Sequence, residues 1–393
     1  MRVVIVADEV GFPRGFAATN YVRLFAKGLV HAGASAHVIC LDFSERSTPP
    51  LNTAARGELD GVTFEYTTGS PILPSFPPAI PMGRALSHAR FLSSVLREPP
   101  DAIFYYGRWP SELLIAMAAA RLTKAALVCI VVEWRLAFPD QTRTQVINDE
   151  LFCRAMRRID GAIVVSAFLR DRVTPRLADG APCLQTPIFA DPEPWANVVP
   201  ASRGKRYLVF CADLTGYRED ALLVIRALVG LGPRELEVLF VGSASPEARE
   251  RILESSNRLP RGMSLKLMTD YLPEGELRCL YAGASALVAP LPDNDRSRAR
   301  FPSKIGDYLL SGTPVVSHRV GEVAAFLKDG ESAYLAAPND EADFARCLAR
   351  ALDAPDARDV GARGRAVALA QFDYKTIGPR VVDFLRPLVA RRA

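Results

Sequence analysis

At 393 residues the chain is longer than one hydrophobic core comfortably serves, so two domains of roughly 150 to 200 residues each are expected. With 49% hydrophobic and 23% charged residues the composition is that of an ordinary globular protein, and no run of about 20 uninterrupted apolar residues offers a membrane span. The net charge of +4 is too mild and too dispersed to argue for nucleic acid, Arg154, Arg157 and Arg158 making only a local basic patch, yet it is compatible with an anionic ligand.

The first ten residues, MRVVIVADEV, reach acidic side chains at Asp8 and Glu9 before a long apolar region develops. They read as a buried first strand rather than a signal peptide, and a cytoplasmic address is expected. Apolar, β-rich runs at 3–7, 37–41, 102–106, 126–132 and 161–165 alternate with helical patterns, the signature of βα units around a parallel sheet. The pattern Ala17–His31 puts Tyr21, Leu24, Phe25 and Leu29 on one helical face, with Gly33 as its stop. The run SPILPSFPPAIPM, residues 70–82, carries too many prolines for a helix or central strand and is expected to be a semi-rigid loop. Its Ile72, Leu73, Phe76 and Ile80 could line an acceptor pocket or touch a membrane surface, packing over the first domain being the favoured reading.

The polar, proline-rich stretch PIFADPEPWANVVPASRGKR has no periodicity and is read as a linker over 191–205. A second βα series follows, with strands expected at 207–211, 237–241, 264–268, 284–288 and 314–317. The fold class is therefore α/β, with two Rossmann-like domains, 1–190 and 206–371, and a last helical stretch, 372–393, expected to pack back on the first. Open α/β sheets bind ligands beyond the carboxyl ends of their strands, so the cleft between the domains is the expected active site. The cysteines, Cys40, Cys129, Cys153, Cys183, Cys211, Cys279 and Cys347, stand singly without a CxxC pair and read as small core residues.

Chemistry concentrates in FPSKIGDYLLSGTPVV, residues 301–316. Pro302 and Ser303 are helix-start residues, and Ser311 and Gly312 end a short helix that leads at once into a strand. A helix N-terminus presents free backbone N–H groups and a partial positive charge, so a diphosphate would be stabilised there, with Lys304 adding a full charge. Asp307, one turn on, could accept hydrogen bonds from the vicinal hydroxyls of a ribose. Read alone, Lys304 and Asp307 are equally well a surface ion pair at i,i+3 spacing.

These residues resemble the family 4 glycosyltransferases of GT-B fold, whose donor-site signature has a glutamate opening a phrase like EA-small-GxPVV; Asp307 occupies that position in GDYLLSGTPVV. The likeness extends over nearly the whole chain. GFPRGFAATNYVRLFAKGLVHAGASAHVI is similar to the family's first glycine loop, helix and second strand, and RRIDGAIVVSAFLRD to the end of its first domain. CADLTGYREDALLVIRAL, VLFVGSAS, YLPEGELRCLYAGASALVAPL and HRVGEVAAFLKDGESAYLAAPND follow in the family's order. The resemblance implies an acceptor-binding first domain and a second domain binding a nucleotide sugar, with Asp307 on the donor ribose, Gly15 where donor phosphate and acceptor approach the backbone, Arg218 on the diphosphate and Tyr271 near the nucleobase. It further implies transfer with retention, no enzyme nucleophile, and Arg218, Lys304 and the helix N-terminus stabilising the departing diphosphate.

Two departures stand out. The family's first glutamate, eight positions before the second, is here Ala299, and its histidine after the fourth strand of the first domain falls in FYYGRW, where none of His31, His37, His88 or His318 lies. Tyr106 and Arg108 are the polar candidates there, with Glu133 after the next strand as an acid-base candidate. The triplet Asp293-Asn294-Asp295 is similar to a DxD metal motif, yet GT-B enzymes stabilise the diphosphate with helix dipoles and basic residues, so neither a metal nor a cofactor is expected. The expected function is transfer of a sugar from a nucleoside-diphosphate sugar to an acceptor hydroxyl in bacterial glycan, glycolipid or natural-product biosynthesis. The acceptor is a small molecule, saccharide or lipid-linked compound, and peripheral membrane contact stays open through the proline-rich loop. A nucleotide-sugar epimerase and a non-catalytic nucleotide-sugar-binding protein remain as alternatives.

Overall fold

The computed structural model describes residues 1–8, 10–46, 49–138 and 141–392. The chain divides into two compact units, Met1–Phe189 together with Tyr374–Ala393, and Ala190–Asp373.

In the first unit the elements run β1 (Arg2–Ala7), α1 (Ala17–His31), β2 (Ser35–Cys40), β3 (Arg56–Leu59), β4 (Val62–Tyr66), α2 (Ala79–Arg97), β5 (Ala102–Tyr106), α3 (Pro110–Thr123), β6 (Ala126–Val131), α4 (Arg143–Ala155), β7 (Gly161–Val164), α5 (Ala167–Val173) and β8 (Cys183–Gln185). They form an eight-stranded sheet of order β3-β4-β2-β1-β5-β6-β7-β8, parallel except for β3 against β4. Val3, Val4, Ile5 and Val6 of β1 are wholly buried, as a central parallel strand covered on both faces requires. Sequence patterning missed the β3–β4 hairpin, although Asp60 and Gly61, both at positive φ, make the turn that an Asp-Gly pair favours.

Two expectations for the proline-rich run need correction. Helix α2 already begins at Ala79, because Pro81 falls in its first turn, where a backbone N–H has no partner within the helix and its absence costs little. Nor do the apolar side chains there all pack inward: Phe76 is 68% exposed and Met82 62% exposed.

The second unit continues with β9 (Tyr207–Cys211), α6 (Arg218–Val229), β10 (Leu236–Val241), α7 (Pro246–Ser256), β11 (Met263–Met268), α8 (Glu274–Gly283), β12 (Ala286–Ala289), α9 (Asp295–Ala299), α10 (Lys304–Leu310), β13 (Val315–His318), α11 (Gly321–Phe326), β14 (Tyr334–Ala336), α12 (Glu341–Asp353) and α13 (Ala357–Gln371). Its six strands are all parallel in the order β11-β10-β9-β12-β13-β14. From β9 the chain winds outward through β10 and β11, then returns to the other side of β9 with β12, so strand order reverses between β9 and β12. That reversal opens a crevice at the carboxyl ends of the two strands.

The stretch 191–205, read as a linker, is part of this unit. Trp195 is buried, the Ala190 N–H donates to the Phe372 carbonyl at 2.7 Å, and the Ala201 N–H donates to the Cys279 carbonyl at 2.9 Å. The last helix, α14 (Tyr374–Ala390), belongs to the first unit and lies on α1, where the Lys27 ammonium sits 4.7 Å from the Tyr374 ring centre. Among the described residues no helix is long and apolar enough to cross a membrane.

Candidate functional site

In the second unit two connections border the crevice: residues 212–217, between β9 and α6, and residues 290–303, which lead from β12 through α9 to α10. Helix α10 is fixed to the crevice by Tyr308, whose hydroxyl accepts a hydrogen bond of 3.0 Å from the backbone N–H of Cys211, the last residue of β9. Tyr281 packs edge-on against Tyr308 with ring centres 4.9 Å apart. Burial raises both phenols well above their usual range, with the Cys211 thiol and the Asp307 carboxylate adding to the shift. Asp307, the residue before Tyr308, is partly open to solvent.

Ser303 stands at the N-cap of α10 with helical torsions, and its side chain makes no capping bond. The first amides engaged in the helix are those of Ile305 and Gly306, which donate to the Pro302 and Ser303 carbonyls at 3.0 and 3.2 Å. The amides of Ser303 and Lys304 thus head the helix, where backbone N–H groups lack intrahelical partners. Lys304 is half-buried and makes no ion pair among the described residues, so the surface-pair reading of Lys304 and Asp307 fails. At the other end Gly312 takes φ +71°, the left-handed conformation that a glycine C′ position supplies.

The other sequence-derived candidates are placed differently. Arg218 opens α6, but its guanidinium bonds Glu247 at 2.9 Å and lies 3.5 Å from Glu219, so two carboxylates already compensate its charge. Tyr271 is 46% exposed just past β11, an edge strand separated from β9 by β10. Gly15 is explained locally: a Cβ there would lie 2.2 Å from the Thr19 hydroxyl, which donates to the Gly11 carbonyl at 2.6 Å in the turn entering α1. Asp293 holds Arg298 through two bonds of 2.7 and 2.9 Å, which keep its carboxyl below the usual range, while the Asn294 side chain caps α9. Among the described residues no group of His, Cys, Asp or Glu is arranged to hold a metal ion.

Sequence reasoning missed a cluster on the same crevice. Arg300, its side chain 14% exposed, lies 3.7 Å from the buried Asp220 of α6, too far for a hydrogen bond. The Arg300 and Arg296 guanidiniums both stack on Tyr217, the residue before α6, at 4.4 and 4.6 Å from the ring centre. Burial pushes the Asp220 carboxyl up to about 6, against the opposing pull of Arg300 and Arg296. The arginines at alternate positions after β12 were visible in sequence, but their partner, in the first βα unit of the domain, was not.

In the first unit strand order reverses between β1 and β5, and Asp8 and Tyr106 lie at that point, the Asp8 N–H donating to the Tyr106 carbonyl at 2.9 Å. Arg108 stacks on Trp109 at 4.9 Å. Glu133 is exposed two residues beyond β6 and 4.0 Å from Arg135. Burial raises the Tyr106 phenol, with Tyr21 and Glu133 contributing to the shift.

The end of β13 carries a buried imidazole. His318 stacks on Phe344 at 4.6 Å, and its Nδ1 accepts from the Leu291 N–H at 3.0 Å. Burial lowers its pKa to about 4, against the pull of Asp343 and Asp340, so it is neutral in the fold. A depressed histidine pKa contributes stability that is complete above about pH 6.5 and is lost as pH falls toward 4, worth on the order of 3 kcal/mol in full. Replacing it by glutamine, which preserves an acceptor for Leu291, is expected to remove that part of the acid sensitivity. Urea denaturation at pH 7 and pH 5 checks this; equal losses in wild type and His318→Gln would contradict a buried neutral imidazole.

Two family profiles match the chain: one described as Glycosyl transferase 4-like domain over residues 17–187, and one described as Glycosyl transferases group 1 over residues 205–354. A D-inositol 3-phosphate glycosyltransferase 2 of Catenulispora acidiphila is 30% identical over 176 residues, which are 36% of this chain and 41% of that protein. The matched region thus spans less than half the length of that relative. Among solved structures, sucrose-phosphate synthase from Thermosynechococcus elongatus superposes with TM-score 0.75 at 16% identity, over 99% of each chain. Anabaena HepE in complex with UDP and glucose gives 0.69 at 14% identity, over 98% of this chain and all of that one. At such identities these likenesses establish the fold.

Proposed function

We propose that this chain, which belongs to the family 4-like glycosyltransferases of GT-B fold, transfers a sugar from a nucleoside diphosphate to an acceptor hydroxyl. The observation that carries the reading is the placement of α10 by Tyr308 at the β9–β12 crevice, which brings the Ser303 and Lys304 amides, the Lys304 ammonium and the Asp307 carboxylate to one end of the sheet. In transfer, the bond between the anomeric carbon and the β-phosphate oxygen breaks while the acceptor oxygen bonds to that carbon. The negative charge that develops on the diphosphate is stabilised by the helix N-terminus and Lys304. Asp307 accepts from the ribose hydroxyls. With retention, the acceptor enters on the leaving-group side and its proton passes to a donor phosphate oxygen, so no protein nucleophile is needed.

The nucleotide sugar is a substrate, and no resident cofactor or metal is assigned. The solved HepE structure contains UDP and glucose, which makes UDP-sugars the first donors to test. The exposed Phe76 and Met82 of the N-terminal unit suit a lipid-linked or otherwise apolar acceptor, and the exposed Glu133 beyond β6 supplies a polar group for its hydroxyl.

Purified protein offered UDP-, GDP-, ADP- and dTDP-sugars with candidate acceptors is expected to release nucleoside diphosphate only when an acceptor is present. If no donor raises the thermal midpoint and none is turned over, the reading fails. Turnover to an epimer without acceptor would identify an epimerase, and binding without turnover a non-catalytic member.

A further inference from the structure

The two faces of the first unit's sheet are finished differently. Strands β4, β5, β6 and β7 are parallel, and the steps from β4 to β5, β5 to β6 and β6 to β7 run the same way across the sheet, so right-handed crossovers place α2, α3 and α4 side by side on one face. Helix α3 packs against both of its neighbours. On the opposite face α14 lies over α1, but the outer side of α2, α3 and α4 is open to solvent and apolar. Met82, Leu86 and Leu96 stand outward on α2, Leu114 and Leu122 on α3, and Ile147 and Leu151 on α4, each between 44% and 62% exposed. The positions between them on the same stripes are Ala89 and Ser93 on α2 and Ala118 on α3, so these two helices turn uncharged lines outward. The arginines of α2 nearest the stripe are drawn aside: Arg84 bonds Asp42 at 2.6 and 3.0 Å, and Arg90 bonds the Thr67 carbonyl at 3.1 Å.

Charge gathers at one end of this face. The three helices run against the strands, so their last turns lie at the sheet's amino end. There Arg121, Lys124, Arg157 and Arg158 are exposed, and among the described residues their side chains make no hydrogen bond or ion pair. Carboxylates in the adjoining segments are engaged within the molecule: Glu98 with Arg2, Asp101 with the Arg2 N–H at 2.7 Å, Glu150 with Arg154 at 3.7 Å and Asp160 with Arg392 at 2.6 Å. Four cations thus face solvent at the edge of an apolar surface.

We propose that the face of α2, α3 and α4 docks on an anionic lipid bilayer, with the apolar stripes entering the headgroup boundary and the four cations lying against lipid phosphates. A bilayer supplies both partners at once, acyl chains for an open apolar surface and a negative potential for a cluster of bases. The attachment is peripheral, since no described helix is long and apolar enough to cross a membrane. It goes beyond the acceptor reading, because it holds whether the acceptor is lipid-linked or free.

The test is flotation of the full chain with vesicles of phosphatidylcholine alone and of phosphatidylcholine mixed with phosphatidylglycerol. Wild type is expected to float with the mixed vesicles, and less so as salt screens the lipid charge. Arg121→Gln/Arg157→Gln/Arg158→Gln is expected to lower partitioning on the order of 100-fold, roughly fivefold for each base. Leu86→Gln/Leu122→Gln/Ile147→Gln is expected to lower it about 10-fold or more. Val199→Gln/Leu253→Gln, which removes two exposed apolar side chains of the second unit, is expected to float as wild type does. Every substituted side chain is exposed, so thermal midpoints near wild type are expected, and a midpoint lowered in one triple variant leaves the other to decide. Wild type that floats with neither vesicle, or equally with both, overturns the proposal, as does a folded triple variant that floats as wild type does. A dimer in gel filtration that Leu86→Gln/Leu122→Gln/Ile147→Gln breaks also overturns it, because a second copy of the chain then covers the face.

Discussion

Replacing Asp307 by alanine is expected to weaken binding of a nucleoside diphosphate about 10- to 100-fold while leaving inorganic pyrophosphate untouched. A carboxylate that accepts from two vicinal hydroxyls loses about 1.5 to 3 kcal/mol when removed, since hydrogen bonds to a charged acceptor are the stronger kind. The effect is confined to the ribose because Asp307 lies a turn inside α10, beyond the N-terminal amides and Lys304, to which the proposed site gives the phosphates. A thermal melt of the variant separates lost binding from lost fold. The Asp307 charge opposes ionisation of Tyr308 and Tyr281, both neutral and buried, and the bond from Cys211 to the Tyr308 hydroxyl does not involve it. Calorimetry with the ribonucleotide and its 2′-deoxy analogue decides the matter. Wild type should prefer the ribonucleotide, and Asp307→Ala should lose that preference.

A second large effect is expected on stability in the first unit, where α14 crosses α1. A Cβ at Gly378 would lie 2.1 Å from the Gly28 carbonyl oxygen and 2.5 Å from its carbon. The obstruction is backbone, which cannot swing aside as a side chain can, so the helices would have to separate along the face that buries Ile377, Val381, Val382 and Leu385. Gly378→Ala is therefore expected to cost about 2 to 4 kcal/mol in chemical denaturation. Gly28→Ala is expected to cost less, since its Cβ would meet the Tyr374 carbonyl at 3.1 Å. Gly33 gives the comparison: it has φ +83° with open space around it, so alanine there meets only the conformational penalty of about 1 kcal/mol. A Gly378→Ala cost no larger than that of Gly33→Ala would mean that the helices do not cross so closely.

The parts of the fold legible in the sequence were those that local physics determines. A central strand such as Arg2–Ala7 is a nearly continuous apolar run because helices cover both its faces, and helix Ala17–His31 announces itself by its apolar face and the glycine that stops it. The strands Cys183–Gln185 and Tyr334–Ala336 are too short to show a period, and Pro81 suggested a break where it only opens a helix. The same distinction runs through the site. Ser303, Lys304 and Asp307 lie together in one helix, so their spacing could be read as a phosphate-then-ribose arrangement. Arg218 was nominated by its place after a strand, but Glu247, which holds it, enters from the next βα unit. The Asp220–Arg300 pair joins segments far apart in sequence, and only the reversal of strand order at β9 and β12 brings them to one crevice.

A crystal structure of the protein with a non-hydrolysable UDP-sugar, or with whichever nucleotide the titrations select, tests the donor site most directly. The diphosphate is expected within hydrogen-bonding distance of the Ser303 or Lys304 amides and the Lys304 ammonium, with the ribose hydroxyls on Asp307. A nucleotide seated away from the β9–β12 crevice, or one whose ribose and diphosphate touch none of these groups, would contradict the account.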